Sequence, residues 1–311
     1  MSSRRWESAK DFLKRLWRSP SARLGGLLVI ITVSLSIAVP LLDDYDAKRD
    51  NNLSAKYKPP DCVYQWIAAK FSDTKEDDVA WNDVTCDYPF GTDINGRDIF
   101  RRVGHGMSVS LRAGVFSVAI ALTVGSTIGL VAGFISGFLD SLLMRIMDIV
   151  LAFPSLLLAI ALVSIFKEGG LEKGMFAIAV TQIPRYARLA RSMSISIRNQ
   201  EYVTAARSIG TGNGSMLLHH VLPNSLAPLI VQASLGLGTA VIETAALGFL
   251  GLGQRPPHPE LGKMLAESQV GLASGKWWLM FFPGMTIIMI VLGFNLLGDG
   301  LRDVMDPRLK K

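Results

Sequence analysis

Between Ala113 and Phe138 the chain contains no Asp, Glu, Lys or Arg. A run of that length exceeds the roughly 20 apolar residues a helix needs to cross a bilayer, and in hydrocarbon a lone segment satisfies its backbone only as a helix. Comparable runs recur from residue 24 to residue 298, and half of all residues are apolar. The fold class expected is therefore all-α, a polytopic membrane protein of about six transmembrane helices. The spans read as Leu24 to Leu42, Ala113 to Phe138, Leu142 to Phe166, Met175 to Leu189, Leu226 to Leu247 and Trp277 to Leu297. Pro154 is expected to kink the third, where Arg145 and Asp148 are spaced to pair. Gln182, Pro184 and Arg185 interrupt the fourth, and the first is a retained anchor, since no small-residue cleavage site follows Leu42.

The charge balance, 32 Lys and Arg against 26 Asp and Glu, does not point to nucleic acid, because the basic residues gather outside the apolar runs. They fit topology instead. The basic N-terminal tail, the arginines Arg185, Arg188, Arg191, Arg198 and Arg207, and the basic C-terminal end share one side if the crossings number six, and the positive-inside rule makes that side the cytoplasm. The organisation expected is a cytoplasmic tail over 1–23, a first helix over 24–42 and an extracytoplasmic segment over 43–112. A core of five helices follows over 113–298, with a cytoplasmic loop at 199–223, and then a cytoplasmic tail over 299–311. Cys62 and Cys86 both fall in the extracytoplasmic segment. A disulfide there closes a loop of roughly 25 residues for about 3 kcal/mol; two free thiols are the alternative.

Gly125, Gly129, Gly133 and Gly137 recur every fourth residue in the second span, which places them on one face as a helix-packing seam. The loop 199–223 reads as a helical elbow. Thr204, Ala205, Ala206 and Ile209 sit on a first short helix, Gly210 stops it, and Ser215 caps a second that ends at Leu222 and Pro223. Its small side chains leave a flat face over which another protein's groove can close, so the elbow is a lever and carries no chemistry.

The pattern Ala205-Ala206-x-x-x-Gly210 followed by Leu222-Pro223 resembles the cytoplasmic loop of permease subunits of ATP-binding-cassette importers. Three further stretches narrow the resemblance to the second permease of dipeptide and oligopeptide importers. They are Phe90-Gly91-Thr92-Asp93 with Gly96-Arg97-Asp98, Leu247 to Gln254 with Pro256-Pro257, and Asn295 to Asp303 with Asp306-Pro307. Thr204 and His220 depart from the family pattern, which has Glu and an aliphatic residue there. The resemblance implies a type I importer permease fold in a bacterial inner membrane and a heterodimer with a paralogous permease. It also implies two cytoplasmic ATPases docked on Thr204, Ala205, Ala206, Gly210, Leu222 and Pro223, and an extracytoplasmic peptide-binding protein. Peptides are the cargo implied, with glutathione, metal chelates or antimicrobial peptides as alternatives within the family.

No phosphate-binding G-x-x-x-x-G-K-[ST] loop occurs, since Gly262-Lys263 and Gly275-Lys276 are followed by Met264 and Trp277. The chain is thus expected to be no enzyme and to hold no cofactor, with ATP and Mg bound by its ATPase partners. An ion-gradient-driven carrier is the rival class, although neither inverted repeats nor several mid-membrane charges stand out. Glu243, near the outer end of the fifth span, and Gln232 are candidates for the translocation pathway; a wet interfacial carboxylate is the plainer reading of Glu243. Arg185 and Arg188 are expected to snorkel toward headgroups. Asp93, Arg97, Asp98, Arg101 and Arg102 are read as a solvated outer segment, with contact to the binding protein as the alternative. His219 and His220 point about 100° apart on a helix and make no metal site.

Overall fold

A computed structural model describes residues 14–46, 50–61, 87–166 and 170–305; Cys62 and Cys86 lie outside them. The described chain is helical apart from its connections and one isolated bridge between Thr92 and Asp98. The main helices are α1 (Pro20–Leu42), α2 (Ile99–Ile135), α3 (Phe138–Leu151), α4 (Ser155–Ile165), α5 (Leu171–Arg198), α6 (Glu201–Ser208), α7 (Asn213–Phe249), α8 (Leu261–Leu272) and α9 (Trp278–Met305). Four of them, α1, α2, α7 and α9, are long and apolar enough to cross a membrane, and the pair α3 and α4 makes a fifth if counted as one span.

Two of these elements differ from their sequence outlines. The expected kink at Pro154 is a full break, with α3 and α4 meeting at 92°. Pro154 is the N-cap of α4, where its missing N–H is not needed and its ring excludes a continuous helix. α5 has 28 residues and is far longer than Met175 to Leu189. It is too polar to pass as lipid-exposed, yet it buries a full face, including Ala177, Ile178, Gln182, Tyr186 and Ala190, against its neighbours. An interior helix need not be apolar all round.

The chain divides into two compact units. The first comprises Met1–Ile30, Ala113–Thr244 and Ile290–Lys311. Within it α2 meets α5 along glycines. A side chain carbon at Gly125 would lie 2.6 Å from the Ile183 carbonyl, one at Gly133 would lie 2.6 Å from the Arg191 carbonyl, and one at Gly129 would collide with Ala187. Gly137 does not belong to this seam. α2 ends at Ile135, and Gly137 has φ +75° as N-cap of α3 with open space around it. A second small-residue seam joins α1 to α9, where Gly25 abuts Leu296 and Leu297, Gly293 faces Leu28 and Val29, and Gly300 faces Ala22. Such close approach is what holds apolar helices together where hydrophobic burial gives no preference over lipid.

The second unit comprises Ile31–Arg112 and Ala245–Met289. Its core is polar at one end. The Thr92 carbonyl accepts from the Trp278 indole at 3.2 Å, and Phe90 stacks on Phe282 at 3.9 Å between ring centres. Asp93, Arg97 and Arg102 are 5%, 6% and 3% exposed, so they are not the solvated outer segment that their density of charge suggested. Asp93 accepts from Arg97 Nε at 2.7 Å and from Arg102, and Arg102 donates to Glu267 of α8 at 2.8 Å. Two guanidinium groups and two carboxylates neutralise one another, which is the condition under which charges tolerate burial. Arg101 lies outside this knot and pairs with Asp43 at 2.6 Å.

Candidate functional site

The elbow forms from its sequence as follows. α6 ends in a Schellman motif: Thr211 N–H donates to the Ala206 carbonyl at 3.1 Å and Gly210 N–H to Arg207 at 3.0 Å, while Gly210 takes φ +86°. Glycine is needed there for its backbone, since open space surrounds its Cα. Val203 of α6 and Met216, Val221 and Ser225 of α7 are buried and anchor the elbow, whereas Ala205, Ile209, Leu218 and Pro223 are exposed. Ile209 is 84% exposed and Leu218 62%, an apolar surface on a polar loop.

The second helix of the elbow does not end at Leu222 and Pro223. It begins after Gly212, so Ser215 lies inside it and does not cap it, and it runs without interruption into the fifth span. A π turn at Leu217–Val221 makes this continuity possible. Pro223 has no N–H for the His219 carbonyl and its ring would crowd that oxygen in an α-turn; the wider turn relieves both conflicts. His219 contacts the Ser215 carbonyl at 3.0 Å, and Asn224 joins the Tyr202 hydroxyl at 3.2 Å to the His220 carbonyl at 2.6 Å. No cluster of three metal-ligating side chains exists among the described residues.

Arginines fix the elbow to the spans. Arg198, in the last turn of α5, donates to the Gly133 and Phe134 carbonyls at 3.2 and 3.1 Å and to the Ser136 hydroxyl, capping the C-terminus of α2. Arg207 of α6 lies over the Phe134 ring at 5.9 Å. Arg191 and Arg188 reach α3, pairing with Asp140 and Asp148 at 2.6 Å each. Asp148 therefore pairs with Arg188 rather than Arg145. Sequence reading treated these arginines as topology markers; their regular positions 188, 191 and 198 on one helix were the available signal.

The pathway candidates Glu243 and Gln232 lie on one face of α7 but 11 positions apart, about 16 Å along the axis. Glu243 is 7% exposed and accepts from the buried Gln182 amide of α5 at 3.3 Å. Gln182, which reads from sequence as an interruption, is thus the group that accommodates a carboxylate among apolar helices. Gln232 lines a cavity of about 440 Å³ with Pro228 and Arg302, and its carbonyl accepts from the Tyr186 hydroxyl at 3.4 Å.

Two carboxyls outside the spans are displaced in opposite directions. Hydrogen bonds from Arg101 hold Asp43 below the usual carboxylate range. Burial pushes Glu260 up to about 7, although its oxygens accept from Gly262 and Lys263 N–H at 2.9 and 3.0 Å as the N-cap of α8. The Glu260 carboxyl fills the space left by Gly248, joining the end of α7 to the start of α8. Nothing in the local sequence except a carboxylate before Leu261-Gly262 announced this contact.

The described residues thus form a helical bundle with glycine-packed helices long and apolar enough to cross a membrane, and an elbow continuous with one of them. Residues 125–311 match the model of the family described as binding-protein-dependent transport system inner membrane component, and the chain belongs to that family. It is 51% identical over 301 residues to the dipeptide transport system permease protein DppC of Alkalihalophilus pseudofirmus, covering 97% of this chain and 90% of that protein. It is 42% identical over 300 residues to the glutathione transport system permease protein GsiD of Escherichia coli O6:K15:H31, covering 96% and 90%. Its fold is similar to a chain in inward-facing structures of the MetNI methionine ABC transporter, with TM-score 0.55, 19% identity and coverage of 66% of this chain and 97% of that one. The chain is accordingly a multi-pass inner-membrane permease of an ATP-binding-cassette importer with the type I permease fold. It is a non-catalytic subunit that works with ATPase partners and a substrate-binding protein.

Proposed function

We propose that the chain forms half of the pore of an ATP-driven importer of dipeptides and oligopeptides, in a heterodimer with a paralogous permease. Two cytoplasmic ATPases bind ATP and Mg, and an extracytoplasmic protein delivers the peptide. Both termini and the elbow face the cytoplasm. The observation that carries the coupling role is the elbow itself: an exposed face made by Thr204, Ala205 and Gly210 at α6 and by Pro223 on α7, the helix continuous with a span, next to α5, whose Arg198 caps α2. A push on that face moves α7 and the end of α2 with it. Gln232 and Glu243 are assigned to the pathway wall of α7.

The peptide cargo is supported by relatives that match almost end to end and are named for dipeptides. A tripeptide such as glutathione is the second reading, favoured by the relative named for it. The test is reconstitution of the permease pair, with and without ATPases, in vesicles carrying an ion gradient. Labelled dipeptide should accumulate only with the ATPases, ATP and binding protein present, and Ile209→Cys should crosslink to an ATPase. Uptake driven by the gradient alone, or crosslinks only to external proteins, refutes the reading.

A further inference from the structure

The second unit contains a cavity of about 530 Å³ between the end of α1, the start of α2 and the loop that follows α7. Its volume suits a small molecule. Asp44, Asp46 and Arg112 are the carboxylate and guanidinium residues that line it, and Asp46 has an interaction of its own. Asp43 is already held by Arg101 and by His105 at 3.3 Å. Asp44 and Arg112 line the same cavity, and among the described residues neither side chain has an ion-pair or hydrogen-bond partner.

The unpaired carboxylate and the unpaired guanidinium line one cavity. His105, Ser108 and Arg112 share one face of α2, and Arg112 lies two turns, about 10 Å, beyond His105. Asp44 follows Asp43, which touches His105. Two opposite charges held apart in one cavity suit a ligand carrying both. An extended residue spans about 3.3–3.6 Å, so a di- or tripeptide is short enough to lie within a cavity of this volume. Gln254 and His258 bring hydrogen-bonding groups for the amide to the same cavity.

We propose that this cavity is a transient binding site for a short zwitterionic peptide, Asp44 receiving its ammonium group and Arg112 its carboxylate. The assignment rests on the importer reading and names where this subunit holds the cargo on the outer side.

The test uses the permease–ATPase complex in nanodiscs without the binding protein, titrated with tritiated dialanine and competed with N-acetyl-dialanine and dialanine amide. In the wild type each capped peptide should compete about two- to fivefold more weakly than dialanine, as expected for one lost charge pair at an exposed site. Asp44→Asn should abolish the discrimination against the acetyl cap alone, and Arg112→Gln that against the amide alone. A misfolded variant would lose both together, so the split reports the contacts themselves. Absence of saturable binding in the wild type, or variants that retain both discriminations, overturns the proposal. So does loss of binding-protein-stimulated ATP hydrolysis with peptide competition unchanged, which makes the cavity a protein-docking surface. ATP-driven dialanine uptake by the wild-type complex with binding protein is measured in parallel; its failure sinks the importer reading, whatever the cavity binds.

Discussion

Arg191 and Asp140 are joined by two parallel hydrogen bonds, Nε to Oδ1 at 2.6 Å and Nη2 to Oδ2 at 2.8 Å. This fork holds α3 against α5 near the cytoplasmic end expected from the charge distribution. Because Arg191 is partly exposed, the pair should contribute about 1 kcal/mol and not the several expected of a dry one. Arg191→Ala and Asp140→Ala should each lower the unfolding temperature of the purified protein, and the double variant should be little worse than either. Additive losses in that double-mutant cycle would show that the two do not act together.

Gly25 and Gly26 are neighbours in α1 with opposite surroundings. A methyl group at position 25 collides with the backbone of Leu296 and Leu297, while position 26 has nothing within 4 Å. Gly25→Ala should cost about 1–3 kcal/mol by overpacking. Gly26→Ala should be neutral or stabilise by up to about 1 kcal/mol. Thermal denaturation of the two variants in detergent checks the contrast; equal midpoints would dissolve the α1–α9 seam.

Gly210→Val disturbs a left-handed residue in open space, so its damage should stay local, about 1–2 kcal/mol. Membrane insertion and subunit assembly should survive, and ATP hydrolysis should continue. Uptake should fall by at least about tenfold, equivalent to about 1.4 kcal/mol of coupling. Unchanged uptake per ATP hydrolysed would remove the elbow from the transmission path.

Glu260 carries a pH dependence whose sign follows from its raised value, from 4.5 to about 7. Below pH 4.5 the carboxyl is protonated in both folded and unfolded chains. Between 4.5 and 7 the folded chain keeps the proton that the unfolded chain releases, so stability falls as pH rises through this window. Above 7 the cost is complete, on the order of 3 kcal/mol. The unfolding midpoint of the wild type should therefore fall more steeply across this window than that of Glu260→Gln. Parallel profiles would mean that the carboxyl is already ionised in the folded protein.

The spans were legible because hydrocarbon imposes length and apolarity directly on sequence. Gly125, Gly129 and Gly133 were legible because their spacing follows the helical repeat. Gly137 failed because periodicity does not reveal where a helix stops, and Ser136 and Gly137 leave it with positive φ. The α1–α9 seam was missed because its members, Ala22 and Gly25 against Gly293 and Gly300, are divided between two distant segments and form no pattern in either. Asp93, Arg97 and Arg102 read as a wet surface since their neutralising partner Glu267 lies 165 residues further along the chain. Glu243 was noticed as costly, but the sequence does not say that Gln182, 61 positions away, faces it.

The π turn at Leu217–Val221 places one surplus residue between the elbow and the fifth span. One residue is worth about 100° of rotation about a helix axis. That offset sets the azimuth at which Leu218 and the preceding turn point relative to the face carrying Gln232 and Glu243. Deleting a single residue there would swing the elbow to a different bearing, so the angular register between this loop and the fifth span is set by a count of residues as much as by their chemistry.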